Sequence, residues 1–400
     1  MLNTLSANVR QYFVITANYW AFTLTDGALR MLVVLFFHEL GYSPLQIALL
    51  FVFYEVFGVV TNLLGGWLGA RIGLNRTMNI GLALQLLALA MLAAPSTSLT
   101  VVWVMAAQAL SGIAKDLNKM SAKSAIKLLI PEGKQSTLYR WIAILTGSKN
   151  TLKGLGFFVG GALLILFGFR SAIIILFLGL LIVWAISLIS LKRDLGRAPY
   201  KPKLRSVFAK SPVINRLSLA RMFLFASRDV WFVVALPVYF ASQFNWSHWW
   251  IGSFMACWII GYGLIQTQAP KITRQRDGTA AFKWVTALSF VMVIVAVAMS
   301  IETASLQILV LGLLVFGAVF AINSSLHSYL IVQYADRNSV SMDVGFYYMA
   351  NAAGRLLGTI LSGWVFQFYG LEACLWVSAG FLLIAAAMSH RLPQRAATRQ

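Results

Sequence analysis

Residues 141–167 read WIAILTGSKNTLKGLGFFVGGALLILF, a run in which Lys149 and Lys153 are the only charged side chains. A helix crosses the hydrocarbon of a bilayer with about 20 apolar residues, so this run predicts a membrane span that carries two cations at depth. Moved by 202 places it falls on residues 343–369, DVGFYYMANAAGRLLGTILSGWVFQFY. The shift lays Gly156 on Gly358, Gly161 on Gly363 and Lys153 on Arg355, and just beyond the run Gly168 meets Gly370. At nearly the same offset Asp26, in the first apolar run, comes within one residue of Asp229. The chain therefore reads as an internal duplication, with an acid in the first span of each half and a cation in the fifth.

Composition agrees with a membrane chain. Of 400 residues 60% are hydrophobic and 11% charged, against roughly 25% charged in a soluble domain. About 240 apolar side chains at about 20 per crossing allow twelve spans. Hydropathy sets them at Tyr12–His38, Leu45–Leu68, Thr77–Ala94, Leu99–Lys119, Trp141–Phe167, Ser171–Leu191, Ser218–Ala241, Trp249–Thr267, Lys283–Ile301, Ser305–His327, Met342–Phe366 and Glu372–Ser389. The first is too long and too polar inside for a cleaved signal peptide. A net charge of +20 would suggest nucleic acid in a soluble protein; here basic loops explain it, and nucleic-acid binding and soluble enzymes are set aside. Cys257 and Cys374 are too few for a disulfide framework or a zinc site, and neither a metal nor a cofactor is expected.

Basic residues orient the chain. The linkers after spans two, four, six and eight hold Arg71 and Arg76, Lys123–Lys134, Lys192–Arg216 and Lys271–Arg276, whereas the alternate linkers lack Lys and Arg apart from Arg170. This bias places both termini in the cytoplasm. The segment Lys192–Arg216, with eight basic residues and three prolines, divides the chain into an N-terminal six-helix bundle (1–191), a cytoplasmic linker (192–217) and a C-terminal six-helix bundle (218–400).

A charge at bilayer depth costs roughly 2.5–3.5 kcal/mol on insertion scales, so each one needs a reason. The deep cations are Arg30, Lys153, Arg228 and Arg355, with Lys115 and Lys149 nearer the cytoplasm; the deep anions are Asp26, Glu55 and Asp229. Asp26 and Arg30 share a helix face and can pair. Arg228 and Asp229 are adjacent, about 100° apart on a helix. They are expected not to neutralise each other within it, so that one reaches another span. Lys149 and Lys153 share a face and repel without a counter-ion; an anion passing between them explains the pair. Lys115, Lys119, Lys123 and Lys127 form a four-spaced ladder, with Lys115 a candidate for the entry path and Lys123 and Lys127 expected on a wetted cytoplasmic face. Glu55 suits a residue that takes up and releases a proton, or one paired permanently with Arg30. His38 and His327, near span ends, are expected at the interface.

Two motifs narrow the reading. Residues 66–76, GWLGARIGLNR, resemble the loop signature of the major facilitator superfamily, with Gly66, Gly69, Arg71 and Gly73 as its gate residues; Ala70 replaces the signature's acid and Asn75 one late basic position. In the fifth span Gly147, Gly156 and Gly160 keep the spacing of that superfamily's antiporter motif, with Gly161 in place of its proline. Asn18–Arg30 (NYWAFTLTDGALR), Gly41–Pro44 (GYSP), Gly112–Ser121 (GIAKDLNKMS) and Thr146–Asn150 (TGSKN) resemble the organoarsenical efflux permeases, the ArsJ family.

That resemblance implies an all-α integral membrane protein: twelve transmembrane helices in two pseudo-symmetric six-helix bundles, the major facilitator fold, with substrate bound near the bilayer midplane. It implies a transporter rather than an enzyme, with no catalytic residues, in a bacterial inner membrane and monomeric. The family exports 1-arseno-3-phosphoglycerate, made by a partner glyceraldehyde-3-phosphate dehydrogenase when arsenate replaces phosphate. The charges, read by themselves, point to a small organic anion held by Arg30, Lys149, Lys153, Arg228, Arg355 and Lys115. Asp26, Glu55 and Asp229 would balance or couple them. An organophosphate or organic-anion transporter of the same fold fits the charges equally.

Overall fold

The structure, a computed structural model, describes residues 7–41, 50–95, 99–191, 195–198, 208, 211–246, 248–273, 276–301 and 306–393. Among them the chain is helical and contains no strand. In order the helices are α1 (Ala7–Glu39), α2 (Val52–Ile72), α3 (Leu74–Leu92), α4 (Val101–Leu129), α5 (Gln135–Ser190), α6 (Pro212–Phe232), α7 (Ala235–Phe244), α8 (His248–Ile272), α9 (Gly278–Met299), α10 (Leu306–Tyr334) and α11 (Val340–His390). Among the described residues six helical stretches are long and apolar enough to cross a membrane: Ala7–Phe37, Gln135–Ser190, Pro212–Phe244, Gly278–Met299, Leu306–Tyr334 and Val340–His390.

The duplication read from the sequence has a backbone counterpart. Helix α5 breaks at Gly168 (φ 72°, ψ 170°) and α11 breaks at Gly370 (φ 78°, ψ −176°), the two glycines that the shift equates. This region of backbone space is essentially closed to residues with a Cβ, so glycine lets each long helix turn back on itself. Between α6 and α7 the backbone N–H groups of Val234 and Ala235 instead donate to Ser362 Oγ at 3.3 and 3.1 Å. Side-chain caps start other helices. Thr100 accepts from Trp103 N–H, Ser211 from Ile214 N–H with Pro212 at the first turn, and Asp277 from Ala280 N–H, each satisfying a donor that the helix itself leaves free.

Contacts divide the chain into two units. One comprises Met1–Trp141, Ser148–Ala209 and Ala335–Met349; the other comprises Ile142–Gly147, Lys210–Tyr334 and Ala350–Gln400. The first has an aliphatic and aromatic core built on Phe22, Leu32, Phe37, Leu89 and Ile173. The second is built on Trp231, Trp258, Phe316, Phe320 and Leu375. The outer surfaces are apolar as well: Ile189 is 88% exposed and Ile165 85%, while Asp116, Asp229, Arg221 and Lys123 are buried. A molecule with greasy outside and charges inside suits a bilayer, where only polar side chains need shelter.

Lipid is as apolar as leucine, so helices in a membrane associate through close contact of small residues. In the first unit a Cβ on Gly156 would lie 2.7 Å from Leu24 O, and Gly160 meets the Ala28 backbone, which seats α5 on α1. In the second unit Gly354 meets the Met222 backbone and a Cβ on Gly358 would lie 2.8 Å from Ala226 O, which seats α11 on α6. Helices 5 and 1 in one copy thus meet as helices 11 and 6 do in the other.

Candidate functional site

The first unit gathers its charges around Tyr54. The α2–α4 contact is glycine on backbone: a Cβ on Gly112 would stand 2.6 Å from Tyr54 O, and one on Gly58 would stand 2.9 Å from the Asp116 carboxylate. This approach brings Lys115 over the Tyr54 ring, 3.7 Å from its centroid, with Arg30 of α1 4.9 Å away from the same centroid and equally close to Phe51. Cations over aromatic faces gain about 0.5–2 kcal/mol, more when desolvated. The Tyr54 hydroxyl donates to both carboxylate oxygens of Asp26 at 2.8 and 3.0 Å, and Lys153 of α5 stands 4.0 Å from Asp26 Oδ2. Lys149, one turn earlier on α5, is partly buried. The side chain of Glu55 lies outside the described residues, as does that of His38.

A second cluster lies further along α4. Asp116 is 2.5 Å from Lys119 Nζ and 3.9 Å from Lys115 Nζ. Lys119 and Lys123 both lie over the Tyr348 ring, and Lys123 donates to the Tyr348 hydroxyl. Lys123 was expected on a wetted face, yet it is 2% exposed. The reason is that residues 335–349, which include the start of α11, belong to the first unit, and Tyr348 covers this side of α4. Lys127, one turn on, is partly buried; desolvation and the nearby Arg337 push its pKa down to about 8, against the opposing pull of Asp336, Asp343 and Glu132.

In the second unit α6 carries Arg221, Arg228 and Asp229. Arg228 Nε donates to Asp229 Oδ1 at 2.6 Å, and Arg355 Nε of α11 donates to Asp229 Oδ2 at 3.2 Å. One buried carboxylate thus serves two guanidiniums. The expectation that adjacent Arg228 and Asp229 cannot neutralise each other is corrected, because the long arginine stem folds its fork back to its neighbour. The companion expectation, a partner on another span, holds for Asp229 and Arg355. Arg221 and Arg228 flank the Phe225 ring at 4.0 and 4.9 Å. Arg221 also donates from Nε to Asn351 Oδ1 at 2.8 Å and from Nη1 to Ser324 O at 3.1 Å. His327, expected at the interface, is fully buried instead, since α10 continues past it to Tyr334.

The residues of the 66–76 motif, expected to form the gate, make a packing contact. A Cβ on Gly66 would stand 2.5 Å from Ser341 O and 3.1 Å from Gly345 Cα, and one on Gly69 3.3 Å from the Ser341 side chain. Arg71 lies over the Trp67 ring at 5.0 Å. Gly73 takes φ 99° to end α2 and begin α3. Ala70, where the signature has an acid, is buried and accepts a backbone hydrogen bond from Ala198 at 2.8 Å.

The structure thus joins Asp26 with Lys153, and Asp229 with Arg228 and Arg355, while Arg30 and Lys115 meet over Tyr54. Sequence reasoning missed the roles of Asp116 and Tyr348 in one unit and of Arg221 and Asn351 in the other, and gave Lys119 only a place in the lysine ladder. Helical spacing held part of the signal: Asp116 is three residues before Lys119, and Arg221 is two turns before Arg228.

Solved structures share this architecture. The human organic anion transporter MFSD10 (TETRAN) superposes with a TM-score of 0.78 at 17% identity, over 96% of this chain and 100% of that one. A bacterial homologue of the iron transporter ferroportin, in an outward-facing state, gives 0.76 at 13% identity over 97% and 99%. The E. coli fucose:proton symporter FucP gives 0.75 at 12% identity over 96% and 99%. No curated relative matches the chain. The family model described as the Major Facilitator Superfamily matches residues 13–282, well over half of the sequence, and with the all-helical fold it makes this chain a multi-pass membrane protein belonging to that superfamily of transporters.

Proposed function

We propose that the protein exports a small organic polyanion, 1-arseno-3-phosphoglycerate, from the bacterial cytoplasm by alternating access. The observation that carries the anionic cargo is the surplus of cations in each polar cluster. Among the described side chains, Arg30, Lys115, Lys119, Lys123 and Lys153 stand against Asp26 and Asp116, and Arg221, Arg228 and Arg355 against Asp229. Removing an ion from water costs several kcal/mol after relaxation, and a cargo of two or three negative charges offsets that cost. Arginine forks suit phosphoryl and carboxylate oxygens. Arg30, Lys153, Arg228 and Arg355 bind the anion, Lys115 and Lys149 draw it in, and Asp26, Asp229 and Glu55 hold the cations when cargo is absent. Gly66, Gly69, Arg71 and Gly73 form the gate.

The arsenic-specific part rests on the resemblance of residues 18–30, 41–44, 112–121 and 146–150 to the organoarsenical permeases. It makes a glyceraldehyde-3-phosphate dehydrogenase the functional partner and places a monomer in the inner membrane. Twelve crossings are supported by the breaks at Gly168 and Gly370, which divide α5 and α11, and by α6 and α7 together spanning one apolar stretch. Cytoplasmic termini, a 192–217 linker and the two bundles follow from the loop charges. An inside-negative potential drives an anion outward with about 2.3 kcal/mol per charge per 100 mV, so export needs no coupling ion.

The test is to express the chain with and without the dehydrogenase in an arsenate-sensitive cell and to measure retained arsenic. Lower retention only in the combined strain is expected; equal retention ends the arsenical assignment. A second reading, transport of organophosphates or organic anions without arsenic, is favoured by the likeness to the human organic anion transporter. Everted vesicles that take up ordinary and arsenate-derived phosphoglycerates equally would establish it.

A further inference from the structure

Arg221, at the edge of the Asp229 charge cluster, and His327, outside it, belong to one buried polar group. On α6, Ser218 and Arg221 are three residues apart and share a face; on α10, Ser324 and His327 do the same. The two faces meet, because Arg221 Nη1 donates to Ser324 O at 3.1 Å. Asn351 of α11 closes the third side through its bond to Arg221 Nε. Every one of these side chains is buried, and His327 and Ser324 are exposed by no more than 1%. Nevertheless both ring nitrogens of His327, with Ser324 Oγ and Ser218 Oγ, lack a hydrogen-bond partner among the described residues.

Buried polar groups are nearly always satisfied, and exceptions gathered beside a guanidinium point to a ligand. An uncharged imidazole presents one donor and one acceptor, the complement of a hydroxyl group, while arginine presents a fork for an oxyanion. We propose that Arg221, His327 and Ser324 form a recognition pocket in the second unit for a hydroxylated oxyanion, Arg221 taking the oxyanion and His327 the neighbouring hydroxyl. The proposal rests on the anion-transport reading above and adds a chemical requirement to it: the cargo carries a hydroxyl close to its acidic group. The side chains close on one another in this state, so the cargo enters as α6 and α10 part.

The test uses the full-length protein in lipid nanodiscs and two probes, 3-phosphoglycerate and 3-phosphooxypropanoate, which lacks the hydroxyl. Calorimetry is expected to show roughly tenfold to hundredfold tighter binding of the hydroxylated probe. His327→Phe removes that preference, His327→Gln, which keeps a donor and an acceptor, retains most of it, and Arg221→Gln weakens both probes. Equal binding of the two probes by the unaltered protein overturns the pocket and leaves anion transport standing, as does an unchanged preference in His327→Phe. Binding of neither probe overturns both. If His327→Phe does not fold, loss of the preference in His327→Gln overturns the assigned hydroxyl contact.

Discussion

Arg355 reaches across from α11 to donate to Asp229 Oδ2 at 3.2 Å, and Asp229 is fully buried. The first copy of the repeat places Lys153 and Asp26 in the same relation, at 4.0 Å. The two copies keep one plan, a cation on the fifth helix facing an acid on the first, with different strengths. In the second copy the acid also binds Arg228. In the first it is shared with the Tyr54 hydroxyl.

Asp229→Asn is expected to cost about 3–5 kcal/mol, the usual result of removing one partner from a buried ion pair. Asp26→Asn should cost about 1–3 kcal/mol, since Tyr54 keeps an oxygen to donate to. Thermal unfolding in detergent compares them, with the larger fall in Tm expected for Asp229→Asn.

Lys153→Ala and Arg355→Ala are each expected to abolish export while leaving membrane insertion intact. Vesicle flux and a protease-protection map read the two properties separately. Normal flux in both variants would assign these repeat-related cations to structure.

Glycine contacts separate tight positions from open ones. A Cβ on Gly156 would meet Leu24 O at 2.7 Å, whereas at Gly161 the nearest atom is Leu35 Cδ1 at 3.9 Å. Gly156→Ala should therefore destabilise by about 1–3 kcal/mol through overpacking, and Gly161→Ala should leave Tm nearly unchanged.

Lys127 is expected to titrate near pH 8 because its partly buried amine sits beside Arg337. Its folded value lies below the ordinary 10.5, so between the two the folded state binds fewer protons than the unfolded one. Stability accordingly rises as pH increases from about 8 towards 10.5. Amine acetylation followed by mass spectrometry should show Lys127 reacting with a midpoint near 8, moved upward by Arg337→Gln.

Much of the fold was legible because it rests on local rules. Gly168 and Gly370 mark the breaks in α5 and α11 since no residue with a Cβ fits that backbone, and apolar runs mark where lipid must be faced. Helix ends were less legible. Helix α4 continues ten residues past Lys119, and α10 seven past His327, because protein covers these turns and hydropathy registers only lipid. Within the candidate site the surplus of cations could be counted from the sequence, but Asp116 and Arg221 escaped that count, each masked by a neighbouring charge of the same cluster.

The sequence by itself determined the duplication, the membrane setting and the sign of the buried charge. These depend on composition and on spacing along one helix. Only the tertiary structure decided who faces whom: Asp229 between Arg228 and Arg355, Lys123 against Tyr348, and His327 deep beside Arg221. Such pairings depend on the reach of long side chains and on the approach of helices that glycine permits, and neither distance is written in a spacing along the chain.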